Sequence, residues 1–230
     1  MELCGKYRHE LKYQIGPAEH YALRQRLETV MKRDPHTGAD GTYIIRSVYF
    51  DNYRDKALRE KADGVQRREK FRIRHYNDDL SFITLEKKIK HNDLCMKVDA
   101  PLTAEEYRRI LRQPGPWMLA HPEELVRELY CKMKTQQLRP RVLVSYVREP
   151  YVYGAGNVRV TFDSNIRTSL FRRDLADGPI PDISAADSPG AAILEVKFDA
   201  FLPEIIRSLL QTGTLRQQAF SKYGACRRFG

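Results

Sequence analysis

Leu194-Glu195-Val196-Lys197-Phe198-Asp199 carries a charged residue at every second position with an apolar residue before each one. In an extended chain side chains i and i+2 share a face, so Glu195 and Lys197 stand together while Leu194, Val196 and Phe198 occupy the other side. The same habit recurs in Arg8-His9-Glu10-Leu11-Lys12, Lys70-Phe71-Arg72-Ile73-Arg74, Thr84-Leu85-Glu86-Lys87-Lys88-Ile89-Lys90 and Val158-Arg159-Val160-Thr161-Phe162-Asp163. Period-2 alternation assigns all five to strands. An ordinary half-buried antiparallel sheet turns such charges to water. A solvent face would also draw on Thr, Ser and Gln, whereas here Lys and Arg dominate and recur beside Glu. The pattern predicts a sheet with an ionic face that grips a phosphate chain through metal.

Outward from these stretches the chain reads as strands punctuated by helices. A strand over 5–15 precedes Gly16-Pro17-Ala18-Glu19, where Pro17 opens a helix over about 17–32, striped by Tyr21, Leu23, Leu27, Val30 and Met31. Residues 33–41 read as a loop and 42–51 as a strand. Asn52 or a neighbour caps a short helix through Ala62, ended by Asp63-Gly64. Strands over 66–76 and 81–90 flank the turn Asn77-Asp78-Asp79, and another lies around 94–100. Thr103-Ala104-Glu105-Glu106 has the form of a capping box, and Leu125, Leu129 and Met133 mark a helix over 121–137, so that 103–137 forms a helical insert in which Trp117 packs. Strands over 140–153 and 157–168 are separated by Gly154-Ala155-Gly156. The stretch 174–190, rich in Asp, Pro, Ala, Ser and Gly, reads as a mobile loop before a last strand over 191–199 and a helix over 203–211.

The 230 residues suffice for a sizeable core, and without repeats or linkers one domain over 1–230 is expected. With 40 Lys plus Arg against 30 Asp plus Glu, the formal charge is +10, which favours an anionic partner without choosing among nucleic acid, nucleotide, polyphosphate and acidic membrane. No apolar run approaches the roughly 20 residues of a membrane span, and the N-terminus lacks the apolar core of a secretion signal, so a soluble cytoplasmic protein is expected. Cys4, Cys95, Cys131 and Cys226 are scattered without a CxxC pair and read as free thiols.

Roughly eight mostly antiparallel strands can close on themselves, which removes exposed edges. If the charged faces point inward, the helices must cover the apolar outer faces. The fold expected is α+β: an eight-stranded antiparallel barrel enclosing a polar tunnel, wrapped in helices.

Phosphoryl transfer needs cations on phosphate oxygens and a divalent metal holding neighbouring phosphates in line. Arg72 and Arg74 can each fork onto phosphate oxygens, Lys12, Lys88 and Lys197 supply point charges, and Arg148 and Arg159 add guanidinium groups. Glu10, Glu86 and Glu195 are the candidate ligands for Mg2+ or Mn2+, since carboxylates repel phosphate unless a cation bridges them. Their plainer role would be to balance neighbouring lysines. Tyr146 shares a face with Arg148 and can hydrogen-bond a phosphate or serve as a core or rim tyrosine. His9, His75 and His91 lack metal-ligand spacing, and no Ser-His-Asp set, P-loop or dinucleotide fingerprint occurs.

At these residues the chain resembles the VTC-domain polyphosphate polymerases, a branch of the triphosphate tunnel metalloenzymes that also include the CYTH-type triphosphatases and cyclases. The motifs that carry the resemblance run from Tyr7-Arg8-His9-Glu10-Leu11-Lys12-Tyr13 through Ser47-Val48-Tyr49-Phe50-Asp51-Asn52, Lys70-Phe71-Arg72-Ile73-Arg74-His75-Tyr76, Leu85-Glu86-Lys87-Lys88, Ser145-Tyr146-Val147-Arg148 and Arg159-Val160-Thr161-Phe162-Asp163 to Leu194-Glu195-Val196-Lys197 and Phe220-Ser221-Lys222-Tyr223. The resemblance implies a barrel that binds ATP and a divalent metal and transfers the terminal phosphoryl group to a growing polyphosphate chain, with release of ADP. It implies phosphate contacts from Lys12, Arg72, Arg74, Lys88, Arg148, Arg159 and Lys222, with Lys197 and Ser221 beside them, and a metal on Glu195. In this family a further lysine stands three residues before the Lys of the terminal Ser-Lys; here that position is Ala219, and Arg216 is the candidate substitute one turn earlier. Eukaryotic members are fused to phosphoinositide-binding and membrane segments, a role that a separately encoded membrane partner would fill here.

Two rivals follow from the same residues. An inorganic triphosphatase or nucleotide hydrolase differs only in whether water or phosphate, with orthophosphate or pyrophosphate among the small anions, accepts the transferred group. A non-catalytic module for polyphosphate or RNA would show cations without carboxylates and aromatics spaced to stack bases. Nucleic acid is not the expected partner.

Overall fold

The computed structural model describes residues 7–92, 94–169, 183–185, 190–212, 215–217 and 220–227. The elements in order are β1 (Arg8–Ile15), α1 (Pro17–Glu28), β2 (Lys32–Arg33), β3 (Tyr43–Asp51), α2 (Lys56–Ala62), β4 (Arg67–Tyr76), β5 (Asp79–His91), β6 (Leu94–Leu102), α3 (Ala104–Arg112), α4 (Glu124–Thr135), β7 (Arg139–Tyr153), β8 (Val158–Ser169), β9 (Ile183–Ser184), β10 (Ala192–Phe198), α5 (Glu204–Leu210) and α6 (Lys222–Cys226). A short 3-10 turn, Pro116–Ala120, precedes α4.

The strands run β7-β3-β4-β5-β6-β1-β10-β8, and β8 pairs back onto β7, so eight antiparallel strands form a closed ring. The two-residue strands β2 and β9 are side additions to β7 and β8 that the alternation did not reveal. Among the described residues the ring is thinnest between β1 and β6, where only Arg8 with Cys95 and His9 with Leu94 are paired. An isolated bridge from Gln217 to Tyr13 lies further along β1.

Local chemistry sets the boundaries. Asn77 and Asp78 both have positive φ, 49° and 60°, which makes a tight hairpin turn and starts β5 two residues earlier than expected. α1 stops at Glu28, short of residue 32, because the Thr29 hydroxyl donates to the Arg26 carbonyl at 2.7 Å and the chain then joins β7 as β2. At α2 the Asn52 carboxamide accepts from Lys56 N and the Asp51 carboxylate accepts from Ala57 N, both at 3.0 Å, so the capping role is shared. The capping box of α3 forms between Thr103 and Glu106. Gly156 has φ 69°, and a Cβ there would meet the Phe201 carbonyl oxygen at 2.5 Å. Most of the stretch 174–190 lies outside the described residues, although Ile183–Ser184 within it is strand rather than loop.

The outer faces are apolar and covered. Val48, Phe71, Ile73 and Leu85 pack under α3 and α4 through Tyr107, Ile110, Val126 and Leu129. Val160, Phe162, Val196 and Phe198 pack under α1 and α5 through Leu23, Leu27, Ile206 and Leu210. The charged faces therefore point inward. Contacts between strands that are not neighbours in the ring show the same: Lys88 of β5 reaches Glu10 of β1 at 2.6 Å, and Arg74 of β4 reaches Tyr146 of β7 at 3.3 Å.

The interior is not polar throughout, as the alternation had suggested. Ile45, Val142, Val144, Ile166 and Ile193 form an apolar cluster that receives Tyr223 and Cys226 of α6. β7 reads Val142-Leu143-Val144, apolar on both faces, so its inner surface gave no period-2 signal. Among the described residues no helix is long and apolar enough to cross a membrane.

Candidate functional site in the barrel interior

Two neighbouring ionic groups line the barrel. On β4 and β5, Glu86 accepts from Arg72 at 2.5 Å and lies 3.4 Å from Arg74. Arg72 also donates to the Tyr49 hydroxyl at 2.9 Å, and Arg74 donates to the hydroxyls of Ser47 and Tyr146 at 3.4 and 3.3 Å. These contacts fix both guanidinium planes. Burial would raise the Glu86 carboxyl, but Arg72 and Arg74 hold it well below the ordinary carboxylate range.

On β1, β8 and β10 the second group forms around Glu195. Its carboxylate lies 3.2 Å from Lys197, 3.3 Å from Arg148, 3.7 Å from Lys12 and 3.8 Å from Lys222. Glu10 is 3.0 Å from Lys12 and 2.6 Å from Lys88, and Lys197 lies between the two carboxylates. Against the effect of burial, Lys12, Lys197, Lys222 and Arg148 keep Glu195 ionised, its carboxyl well below the usual value. Burial wins at Lys197 despite Glu195 and Glu10, and pushes its ammonium down to about 8.

Asp163 completes this group, and sequence reasoning did not select it. Fully buried, it takes a forked pair from Arg148 at 2.6 and 2.7 Å and an ion pair from Lys222 at 2.5 Å. The signal was present, since Asp163 follows Arg159 and Thr161 on one strand face. Lys222 reaches this point because Ser221 caps α6, accepting from Gly224 N at 3.2 Å, and its ammonium lies 4.8 Å from the Tyr146 ring centre. Ser221 thus has a structural task of its own.

Of the expected set, Lys12, Arg72, Arg74, Lys88, Tyr146, Arg148, Lys197, Lys222, Glu10, Glu86 and Glu195 meet in these two groups. Arg159 stands apart: it pairs with Asp34, from the segment before β3, at 2.7 Å and donates to the Tyr43 hydroxyl at 2.8 Å. Ala219 lies outside the described residues, while Arg216 is exposed beside the Gln217 bridge. Lys70, on the inner face of β4, was not singled out either. Burial first, then Lys61, Lys12, Arg68 and Lys88, push its ammonium down to about 7.

Among the described residues no group of three His, Cys, Asp or Glu side chains could by itself hold a metal. A cation carried on a substrate's phosphates needs fewer, since Mg2+ typically takes one or two carboxylates plus phosphate oxygens and water. Glu195 and Glu10 fit that donor set. Thr161 Oγ1, on the residue paired directly with Glu195, is buried without a hydrogen-bond partner among the described residues, as a hydroxyl facing a phosphate site would be. Glu86, clamped by two arginines, fits it less well.

A closed antiparallel ring of eight strands with an ion-lined interior and helices outside is the triphosphate tunnel fold. The solved structures similar to it agree: a candidate adenylyl cyclase from Hippeastrum with dominant triphosphatase activity is 14% identical with TM-score 0.56, over 96% of this chain and 95% of that one. A candidate adenylate cyclase from Bacillus halodurans is 16% identical with TM-score 0.51, over 91% and 88% of the two chains. A third, from Vibrio parahaemolyticus, is 11% identical with TM-score 0.51, over 96% and 98%. At such identities the likeness is one of fold. The model of the VTC domain matches residues 7–229, and the chain belongs to that family. No curated protein matches it by sequence.

Proposed function

We propose that the protein is a metal-dependent polyphosphate polymerase, transferring the terminal phosphoryl group of ATP to a growing inorganic polyphosphate chain and releasing ADP. The observation that carries this reading is the convergence of Arg72, Arg74, Arg148, Lys12 and Lys222 on one interior beside the paired carboxylates Glu195 and Glu10. Membership of the VTC domain family supports it.

In this reading the arginines fork onto the phosphate oxygens and the lysines neutralise charge that develops during transfer. Glu86 keeps the Arg72 and Arg74 planes aligned, and Asp163 does so for Arg148. Glu195, with Glu10, would hold Mg2+ or Mn2+, which would supply positive charge to offset that of the phosphates. Arg159 meets phosphate at the rim once it leaves Asp34. A cytoplasmic setting would supply ATP and keep the free Cys95, Cys131 and Cys226 reduced, and a separately encoded membrane partner would handle export.

The second reading is an inorganic triphosphatase on the same residues, favoured by the triphosphatase activity of the Hippeastrum neighbour. A non-catalytic module is the weaker rival, since it would have no use for Glu195 and Glu10. Incubation of the purified protein with labelled ATP and Mn2+ or Mg2+, followed by gel separation, decides among them. A polyphosphate ladder is expected; orthophosphate alone would mean a hydrolase, and neither product a binding module.

A further inference from the structure

β3 begins where β4 ends and β5 starts, since Tyr76 pairs with Ile45 on one side and Asp79 on the other. Alternation sets Tyr76, two residues past Arg74, and Phe82, two before Thr84, on the face that carries Arg72 and Glu86 deeper in the barrel. The inner surface at this mouth is therefore aromatic where the surface below it is ionic. The Tyr76 ring centre lies 5.5 Å from that of Tyr43, edge-on at 79°, and 6.1 Å from that of Phe82. The arc joins the ionic groups at both of its inner contacts: the Arg74 guanidinium is 6.0 Å from the Tyr76 ring centre, and Arg159 donates to the Tyr43 hydroxyl at 2.8 Å.

Two of the three rings have a structural task. Tyr43 is buried, and Tyr76 packs against the apolar cluster of the interior. Phe82 is 62% exposed and offers its ring to the mouth. The other end of the barrel is taken by α6, where Tyr223 lies 5.3 Å from the Tyr49 ring and donates to Asp51 at 2.6 Å. A triphosphate on Arg72 and Arg74 thus has α6 on one side and the rings of Tyr76 and Phe82 on the other, and an organic group attached to it is directed to the rings.

We infer that Tyr76 and Phe82 form a base-stacking seat at this mouth, which favours triphosphates that carry a nucleobase over inorganic tripolyphosphate. This rests on the reading of the barrel interior as a triphosphate site. Every base has a π-face, so a seat made of aromatic faces holds a base without reading its edges, and the donors it fits are nucleoside triphosphates as a class. Arg74, placed against Tyr76, sets a phosphate at the foot of the seat. A donor with a base and a phosphate chain without one are then told apart at the mouth, before either reaches Glu195.

The test is calorimetric titration of the full chain with ATP, GTP and tripolyphosphate, each with Mg2+, for wild type, Phe82→Leu and Phe82→Trp. Leucine keeps apolar bulk at an exposed position and removes the ring, so the variant should melt at the wild-type temperature. It should lose about fivefold or more of its affinity for ATP and GTP alike, the lower end of base–aromatic stacking, while tripolyphosphate binding is unchanged. Phe82→Trp widens the stacking face and should hold both nucleotides at least as tightly as wild type. Its indole fluorescence should be quenched by ATP, beyond any change from Trp117 in wild type, and not by tripolyphosphate. An unchanged ATP affinity in Phe82→Leu, an equal loss for tripolyphosphate, or quenching by both ligands would each overturn the seat. A wild type that binds ATP and tripolyphosphate but fails these comparisons leaves the proposed function standing; one that binds neither removes both.

Discussion

Glu195 meets four cations, and each of those cations has another reason to be where it is: Arg148 and Lys222 share Asp163, and Lys12 and Lys197 lie close to Glu10. Replacement by Gln keeps the shape, leaves the cations two other carboxylates, and removes the charge that would hold metal. Glu195→Gln should stay folded by circular dichroism yet lose metal-dependent turnover. Undiminished activity would remove Glu195 from the site. Arg72 makes a different demand, because it touches Glu86 and Tyr49 at once. A lysine keeps the charge without the fork, so Arg72→Lys and Arg74→Lys should each raise KM for ATP or lower kcat, by about tenfold. Variants as active as wild type would make these arginines mere counter-charges to Glu86. At this scale the sequence was legible where i and i+2 both bear chemistry, as at Glu10 with Lys12 or Glu195 with Lys197. Asp163 and Lys70 lie on the same faces, but their neighbours Arg148, Lys222 and Tyr223 come from other elements and leave no local signal. The Arg159 pairing with Asp34 joins positions 125 apart and has no local signal.

At the scale of elements, period-2 alternation located β1, β4, β5, β8 and β10, since an ionic inner face and a helix-covered outer face force that pattern on the chain. It failed where both faces are apolar, on β7, and that is where α6 docks. The docking depends on Tyr223, which donates to the Asp51 carboxylate at 2.6 Å across 172 residues of sequence. Asp51 in turn holds the first turn of α2 through Ala57 N. Tyr223→Phe keeps the ring in its apolar bed but leaves a buried carboxylate oxygen without its donor, which costs about 1–3 kcal/mol. The urea midpoint should fall accordingly, with the slope unchanged. Lys222 would lose its anchor at the same time, so phosphate binding should weaken as well. A variant with wild-type stability would mean that α6 is held by packing alone.

Across the whole molecule, a formal charge of +10 said only that the partner is anionic. What the closed ring adds is a consequence for pH. Lys70 stands with its ammonium pushed from 10.5 to about 7 by burial and by Lys61, Lys12, Arg68 and Lys88, with Lys197 lowered in the same direction. Between about pH 7 and 10 the folded protein therefore binds fewer protons than the unfolded chain. Stability rises with pH wherever the unfolded state binds more protons, so the free protein should become more stable across that window. A phosphate chain reverses the balance: it favours the charged ammonium, so binding takes up protons and weakens as pH rises through 7 to 9. Long-chain polyphosphate suits the measurement because its internal phosphates stay ionised throughout. At a hundredfold excess over its dissociation constant the ligand should add about 2.7 kcal/mol, and at a fixed concentration this gain should shrink from pH 7 to 9 while the free protein's melting temperature climbs. Titration in buffers of different ionisation enthalpy should report proton uptake at pH 7.5, and less of it in Lys70→Gln. A free protein that loses stability over this range, or a ligand effect independent of pH, would mean that these lysines carry their protons with or without phosphate, and that the interior is balanced by its own carboxylates rather than poised for an anion.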